Sequence, residues 1–85
     1  MEKSIHTRAY DAFCRLLRRA RRDAGLTQVA LAAALGQSQS FVSKVERGET
    51  RLDVIQLRTV LAALKVTLPE FARRLERELG SRGSP

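Results

Sequence analysis

The chain has one cysteine, one histidine and no tryptophan. Cys14 alone can close no intrachain disulfide, and together with His6 it falls short of a zinc ligand set. No metal site and no cofactor is expected. The same shortage removes the usual nucleophile–base pairs, and there is no glycine-rich phosphate loop, so no catalytic residue is assigned and an enzyme is not expected. No apolar run approaches the roughly twenty residues of a membrane span. The N-terminus lacks the apolar centre of a signal peptide, so a cytoplasmic location is expected, with no membrane partner. One tyrosine and three phenylalanines fit a small Leu/Ala/Val core better than a sandwich or barrel.

What the chain has in excess is positive charge. Sixteen Lys and Arg face nine acids, for a net charge of +7, and thirteen of the sixteen are Arg. Such an excess favours a polyanionic partner, either nucleic acid or an acidic membrane surface. The Arg fork matches phosphate and guanine, which leans towards nucleic acid. A genome-wide bias towards Arg codons would explain Arg over Lys but not the excess itself.

Eighty-five residues make one domain with a modest core. Residues 1–7 are polar and expected to be loose, with Thr7 or Ser4 as the first helix cap. From Arg8 to about Ala24, Tyr10, Phe13, Leu17 and Ala20 recur at spacings of three and four, flanked by Cys14 and Leu16. Arg15, Arg18, Arg19 and Arg22 lie opposite, and Gly25 ends the helix. Thr27 caps a second helix, Gln28 to Leu35, whose buried stripe is Leu31 and Leu35. Its third position is Ala30 rather than an acid or amide, so no reciprocal capping box is expected, and Val29 is expected to be exposed. Gly36 breaks this helix, and Ser38 caps a third, from Gln39 to about Arg47, which stops at Gly48.

Asp53 caps a fourth helix with Gln56 at the capping-box position and Leu52 poised to staple onto Leu57. Its inner face is Leu57, Val60, Leu61 and Leu64. The run Thr67 to Glu70 reads as a second capping box, opening a fifth helix with Pro69 in its first turn. Leu68, Phe71, Leu75 and Leu79 form the apolar face of that helix, and Arg73, Arg74, Glu76 and Arg77 its wet one. Residues 80–85 are expected to be a flexible tail. Five helices with no strand signal predict an all-α domain over residues 8–79.

The third helix carries the functional reading. Val42 and Val45 point inward, which leaves Ser40, Ser43, Lys44 and Arg47 outside, with Gln39 at the leading edge and Phe41 on the flank. This outer face has no acid and no large apolar residue. Gln can pair with adenine, Lys with guanine, and Ser can donate or accept. An α-helix fits the major groove, and helix N-termini attract phosphate. Gln28 and Arg47 are placed for backbone contact. The plain alternative is that Ser and Lys outside a short amphipathic helix is what any small bundle shows to water. Phe41 either completes the core or lies partly open at the sugar–phosphate edge. The basic run from Arg15 to Arg22 is either a solvated face or a second phosphate contact.

Residues 17–66 resemble the Xre family, the Cro/cI-like or lambda-repressor-like helix-turn-helix proteins. The residues that carry the likeness are Gly25-Leu26-Thr27-Gln28, Leu31-Ala32, Leu35-Gly36, Ser38-Gln39-Ser40, Val42 through Gly48, and Arg51-Leu52-Asp53. The resemblance implies the five-helix lambda-repressor-like fold and double-stranded DNA as partner. It implies that Gln28 contacts the backbone and that Gln39, Ser40 and Lys44 contact bases, with Ser43 adjacent. It also implies a structural ion pair between Arg21 and Glu46 that bridges the first and third helices. The chain departs from the common pattern at Val29 and Ala30, where acids are frequent.

One recognition helix reads few base pairs, so a homodimer on a palindromic operator is expected, with half-sites about 34 Å apart. The candidate dimer surface is Leu68, Phe71, Leu75 and Leu79 on the last helix, residues 67–79; Phe71 is expected inward, and Leu75 and Leu79 towards the partner. The alternative is that this stripe only completes the core. A second functional reading is an antitoxin-like module that binds a regulatory protein partner and uses DNA binding for autoregulation. The tail GSRGSP has no apolar anchor for such a partner.

Overall fold

The computed structural model describes residues 7–80. They form five helices and no strand: α1 (Arg8–Asp23), α2 (Gln28–Leu35), α3 (Gln39–Glu46), α4 (Val54–Ala63) and α5 (Leu68–Leu79). The expectations of a loose N-terminus, of Ser4 as a rival cap, and of a flexible end after Gly80 fall outside the described residues.

Each helix begins where a side-chain oxygen can accept one of its unpaired N–H groups. Thr7 accepts from Tyr10 N at 3.0 Å, Thr27 from Ala30 N at 3.0 Å, and Ser38 from Phe41 N at 3.1 Å. Such a cap stabilises a helix by about 1 kcal/mol. At α2 the cap stands without an acid in the first turn. Asp53 makes the complete capping box: its carboxylate accepts from Gln56 N at 2.7 Å, and Gln56 Oε1 accepts from Asp53 N at 2.8 Å. The box expected at α5 is only half built. Thr67 accepts from Glu70 N at 3.3 Å, but the Glu70 carboxylate is drawn away to Arg73 Nη2 at 2.8 Å and Arg74 Nε at 3.1 Å. Two cations on its own helix outcompete one N–H.

The turn between α2 and α3 depends on Gly36, in the left-handed region at φ 68°. This lets Gln37 N–H return to Ala32 O at 2.9 Å. The chain then reverses within three residues, 36–38, and α3 lies across α2. Ala32, buried at the crossing side, keeps the pair close.

α1 lies between α3 and α5, while α2 packs on α3 and α4. Leu17, Leu61 and Phe71 sit at the centre of one core with Leu16, Ala20, Leu31, Ala32, Val42, Val45, Val60 and Leu64. Phe13 meets Phe71 edge-on, with ring centroids 5.7 Å apart, and stacks on Tyr10 at 5.1 Å. The Arg51 guanidinium covers the Tyr10 ring at 4.2 Å, tying the segment before α4 to the start of α1. Phe41 is half-buried against the core beside α4, which favours its core reading over the open one.

The α5 stripe also turns mostly inward. Phe71 is only 2% exposed and Leu68 and Leu75 pack against the core. Phe71 therefore drops out of the candidate dimer surface, because four short helices need it to close their open side. Half-exposed Leu79 and the outer flanks of Leu68 and Leu75 are what remains.

Candidate nucleic-acid interface

The outer face of α3 is built by subtraction. Val42 and Val45 are held in the core and Glu46 is buried against α1, which turns Gln39, Ser40, Ser43, Lys44 and Arg47 to the opposite side. Gln39, Ser40, Lys44 and Arg47 are exposed and Ser43 is half-exposed. No acid lies on the α3 residues of this face, and the Lys44 ammonium makes no ion pair with the described residues.

What fixes the face is a polar network that runs from the core outward. Arg21, 8% exposed, and Glu46, 3% exposed, meet through two hydrogen bonds. Arg21 Nε donates to Glu46 Oε2 at 2.6 Å and Nη2 donates to Oε1 at 3.1 Å. Arg21 Nη1 donates to Leu26 O at 2.9 Å, anchoring the approach to α2. Arg18 Nε adds a second cation 3.7 Å from Oε1. Burial pushes the Glu46 carboxyl pKa up, but the hydrogen bonds from Arg21 and Gln28, with the charges of Arg21 and Arg18, outweigh it and hold it below the usual range.

The network then reaches the surface. Gln28 Nε2 donates to Glu46 Oε1 at 3.0 Å, and Gln28 Oε1 accepts from Gln39 Nε2 at 2.7 Å. The amide of Gln39 thus has one N–H spent on Gln28, which leaves its oxygen and its other N–H for a ligand. That remaining pair, one acceptor and one donor, complements the adenine edge in the major groove. Gln28, expected as a backbone contact, is half-buried and acts in this structure as the bridge between Glu46 and Gln39.

A second cluster closes the far end of α3. Gly48, at φ 81°, reverses the chain so that Glu49 N–H returns to Lys44 O at 2.8 Å and Gly48 N–H to Val45 O at 3.1 Å. This places the Glu49 carboxylate beside Arg47. Arg47 Nε donates to Glu49 Oε2 at 3.0 Å and Nη2 to Oε1 at 3.1 Å, while Nη1 donates to Ser43 Oγ. Arg47 and Ser43 were expected at the surface; their direct link, and the pairing of Arg47 with Glu49, were not. The signal for it was present in Arg47-Gly48-Glu49, since a glycine after a helix end folds the next residue back over the last turn.

Two further features escaped the sequence reading. Val54 and Ile55, in the first turn of α4, are 58% and 68% exposed. With Phe41, Leu35 and Leu52, Ile55 borders a shallow apolar cleft beside the turn that joins α2 to α3. The arginines of α1 also continue into a wider basic surface. Arg15, Arg18, Arg19 and Arg22 on α1 line one open groove with Asp23 and Glu78, and Arg19, Asp23 and Glu78 line a second with Arg74 and Arg77 on α5. Arg15 pairs with Glu78 at 3.6 Å. Val29 is 64% exposed, in keeping with its expected position.

The described residues contain no group of His, Cys, Asp and Glu able to hold a metal ion. No helix among them is long and apolar enough to cross a membrane. Cys14 is buried with its thiol 3.7 Å from Val45 O, and burial pushes its pKa up.

Comparison with known proteins bears on both the family and the fold. The family model described as Helix-turn-helix matches residues 17–71. Among solved structures, the fold is similar to the crystal structure of the clp gene regulator ClgR from C. glutamicum, with a TM-score of 0.76 and 24% identity over 93% of this chain and 100% of that one. At that identity the likeness speaks for the fold alone. No curated protein matches the chain in sequence.

Proposed function

The chain belongs to the helix-turn-helix family of DNA-binding regulators of the Xre and cI type, and from that premise we propose that it binds a palindromic operator as a dimer, with α3 of each copy in the major groove. The observation that carries this reading is the pre-set Gln28–Gln39 pair at the start of α3. A surface amide held by a chain of hydrogen bonds from a buried ion pair is ordered before any ligand arrives, so less side-chain entropy is lost on binding. A solvated bundle face has no need of such order.

In this reading Gln39 pairs with adenine, while Ser40 and Lys44 contact neighbouring base edges and Ser43 sits beside them. Gln28 and the N–H groups at the starts of α2 and α3 contact the sugar–phosphate backbone. Arg47 contacts phosphate at the far end of the helix. The net charge of +7, with the α1 and α5 arginines, draws the duplex in over longer range. Dimerisation uses what α5 leaves open, Leu79 with the outer flanks of Leu68 and Leu75. Bound in this way, the protein acts at a promoter by occlusion or recruitment.

The test is selection of bound fragments from random duplex DNA. A palindromic consensus with half-sites about one helical turn apart is the expected result. If no sequence is enriched above the starting pool, the base-reading assignment is wrong.

A further inference from the structure

Resting on the DNA-reading function proposed above, we infer that Glu49 is a specificity-determining residue: it holds Arg47 against Ser43 and so keeps this end of α3 from gripping DNA irrespective of sequence.

The geometry gives Glu49 two effects. The first concerns charge. Arg47 is the cation at the C-terminal end of the recognition helix, where a phosphate contact would fall. Its Nε and Nη2 are both on the Glu49 carboxylate, at 3.0 and 3.1 Å. The pair is close to neutral as a unit. A phosphate must either displace the carboxylate or make do with the remaining N–H groups of a cation already matched. An exposed ion pair of this kind is worth at most a factor of about five in affinity. On random DNA that penalty is uncompensated, whereas the specific complex, in which Arg47 also meets phosphate, offsets it through Ser43.

The second effect concerns direction. Arg47 Nη1 donates to Ser43 Oγ. A hydroxyl that accepts from a guanidinium keeps its own proton for another acceptor. Ser43 is thereby turned from an ambiguous group into an outward donor, suited to guanine O6 or N7 or to thymine O4. Only a seated complex on the right sequence places such an acceptor opposite it. One clasp thus weakens base-independent contact and sharpens a base-dependent one.

Glu49 is also well held for this task. Its N–H is tied to Lys44 O at 2.8 Å across the left-handed Gly48. A change of side chain at position 49 leaves that backbone closure intact.

The experiment measures binding of the wild-type chain and of Glu49→Gln to the duplex enriched by selection and to a random-sequence duplex, across a salt series. The variant is expected to bind random DNA about five-fold more tightly. Its salt dependence on random DNA should steepen by up to about 0.9 in the log–log slope, one additional phosphate contact. Binding to the selected duplex should gain less than two-fold, so the ratio of selected to random affinity falls. In an Arg47→Ala background, Glu49→Gln should lose most of its gain on random DNA, because the released cation is gone. Glu78→Gln, which removes an acid paired with Arg15 away from α3, serves as the control for bulk charge. Equal gains on both duplexes, an unchanged affinity for random DNA, or the same gain in the Arg47→Ala background or from Glu78→Gln would each overturn the inference. A wild-type chain that binds no duplex at all would instead overturn the functional reading beneath it.

Discussion

Replacing Glu46 with alanine removes the carboxylate on which both the fold and the reading face converge. Glu46 is 3% exposed and accepts three hydrogen bonds, two from Arg21 and one from Gln28. Without it, the Arg21 guanidinium stays in the protein with only the Leu26 carbonyl as partner. Breaking a buried pair from one side costs about 3–5 kcal/mol, because an uncompensated charge is left behind. The whole domain is stable by roughly 4–13 kcal/mol at about 0.05–0.15 kcal/mol per residue. Glu46→Ala thus removes a large part of that stability. Melting should fall by at least about 12 °C, at roughly 4–8 °C per kcal/mol for a domain of this size.

Urea unfolding followed by far-ultraviolet circular dichroism, with linear extrapolation, gives the quantity directly. The double variant Arg21→Met/Glu46→Leu is the other half of the test. With both charges gone and the volume kept, stability should return to within about 1 kcal/mol of wild type or exceed it. Binding to the selected duplex should stay weak, since Gln28 has lost the oxygen that fixes it. A loss below about 1 kcal/mol for Glu46→Ala would show that the guanidinium escapes to water, and that α1 and α3 are held by apolar contact alone. A double variant with full DNA affinity would show that Gln28 and Gln39 need no anchor.

Three other outcomes follow from the same geometry. The Glu46 pKa is lower in the folded state than its ordinary value of 4.5, so its ion pair contributes fully above about that pH and is lost as pH falls through the folded value; the stability gap between wild type and Glu46→Gln, measured by urea unfolding, should close on acidification, and a gap that stays constant to low pH would refute this. Lys44→Ala should lose about 1–3 kcal/mol of discrimination at one base position, read by competition among singly substituted duplexes; equal losses on selected and random DNA would move Lys44 to the phosphates. Leu79→Glu should give a folded monomer by sedimentation, with selected-duplex affinity reduced roughly a hundredfold or more as the two half-sites cease to be held together; a variant that stays dimeric would place the dimer contact elsewhere.

The helices and the outward residues of α3 were legible because they rest on local signals. Thr7, Thr27, Ser38, Asp53 and Thr67 each stand one residue ahead of the helix they cap, and such capping is a matter of the few residues around it. The orientation of α3 follows from Val42 and Val45 alone, since a helix that buries these two must expose Ser40 and Lys44. The half-formed box at Thr67 shows the limit of that reasoning. Whether Glu70 turns back to the cap or forward to Arg73 and Arg74 is a competition between groups all within reach. The pattern of residue types shows only that Glu70 stands at the right position.

What stayed hidden depends on where segments distant in the chain meet, or on what fails to meet. The α5 stripe has the same spacing whether it closes a core or joins two copies. Only the open side left by α1 and α4 decides that Phe71 goes inward. Ile55 has the opposite history: it belongs to no stripe, so periodicity gave no cause to notice it, and only the fold shows that nothing in the described residues covers it. Gln28 is the third case. As a lone residue at the start of a helix it reads as a phosphate contact. In the structure it joins a buried carboxylate to an exposed amide, so the core pair Arg21–Glu46 and the surface residue Gln39 form one connected object. A mutation in the core of this domain should therefore change which bases it prefers before it changes whether it folds, provided the charge it leaves behind is removed as well.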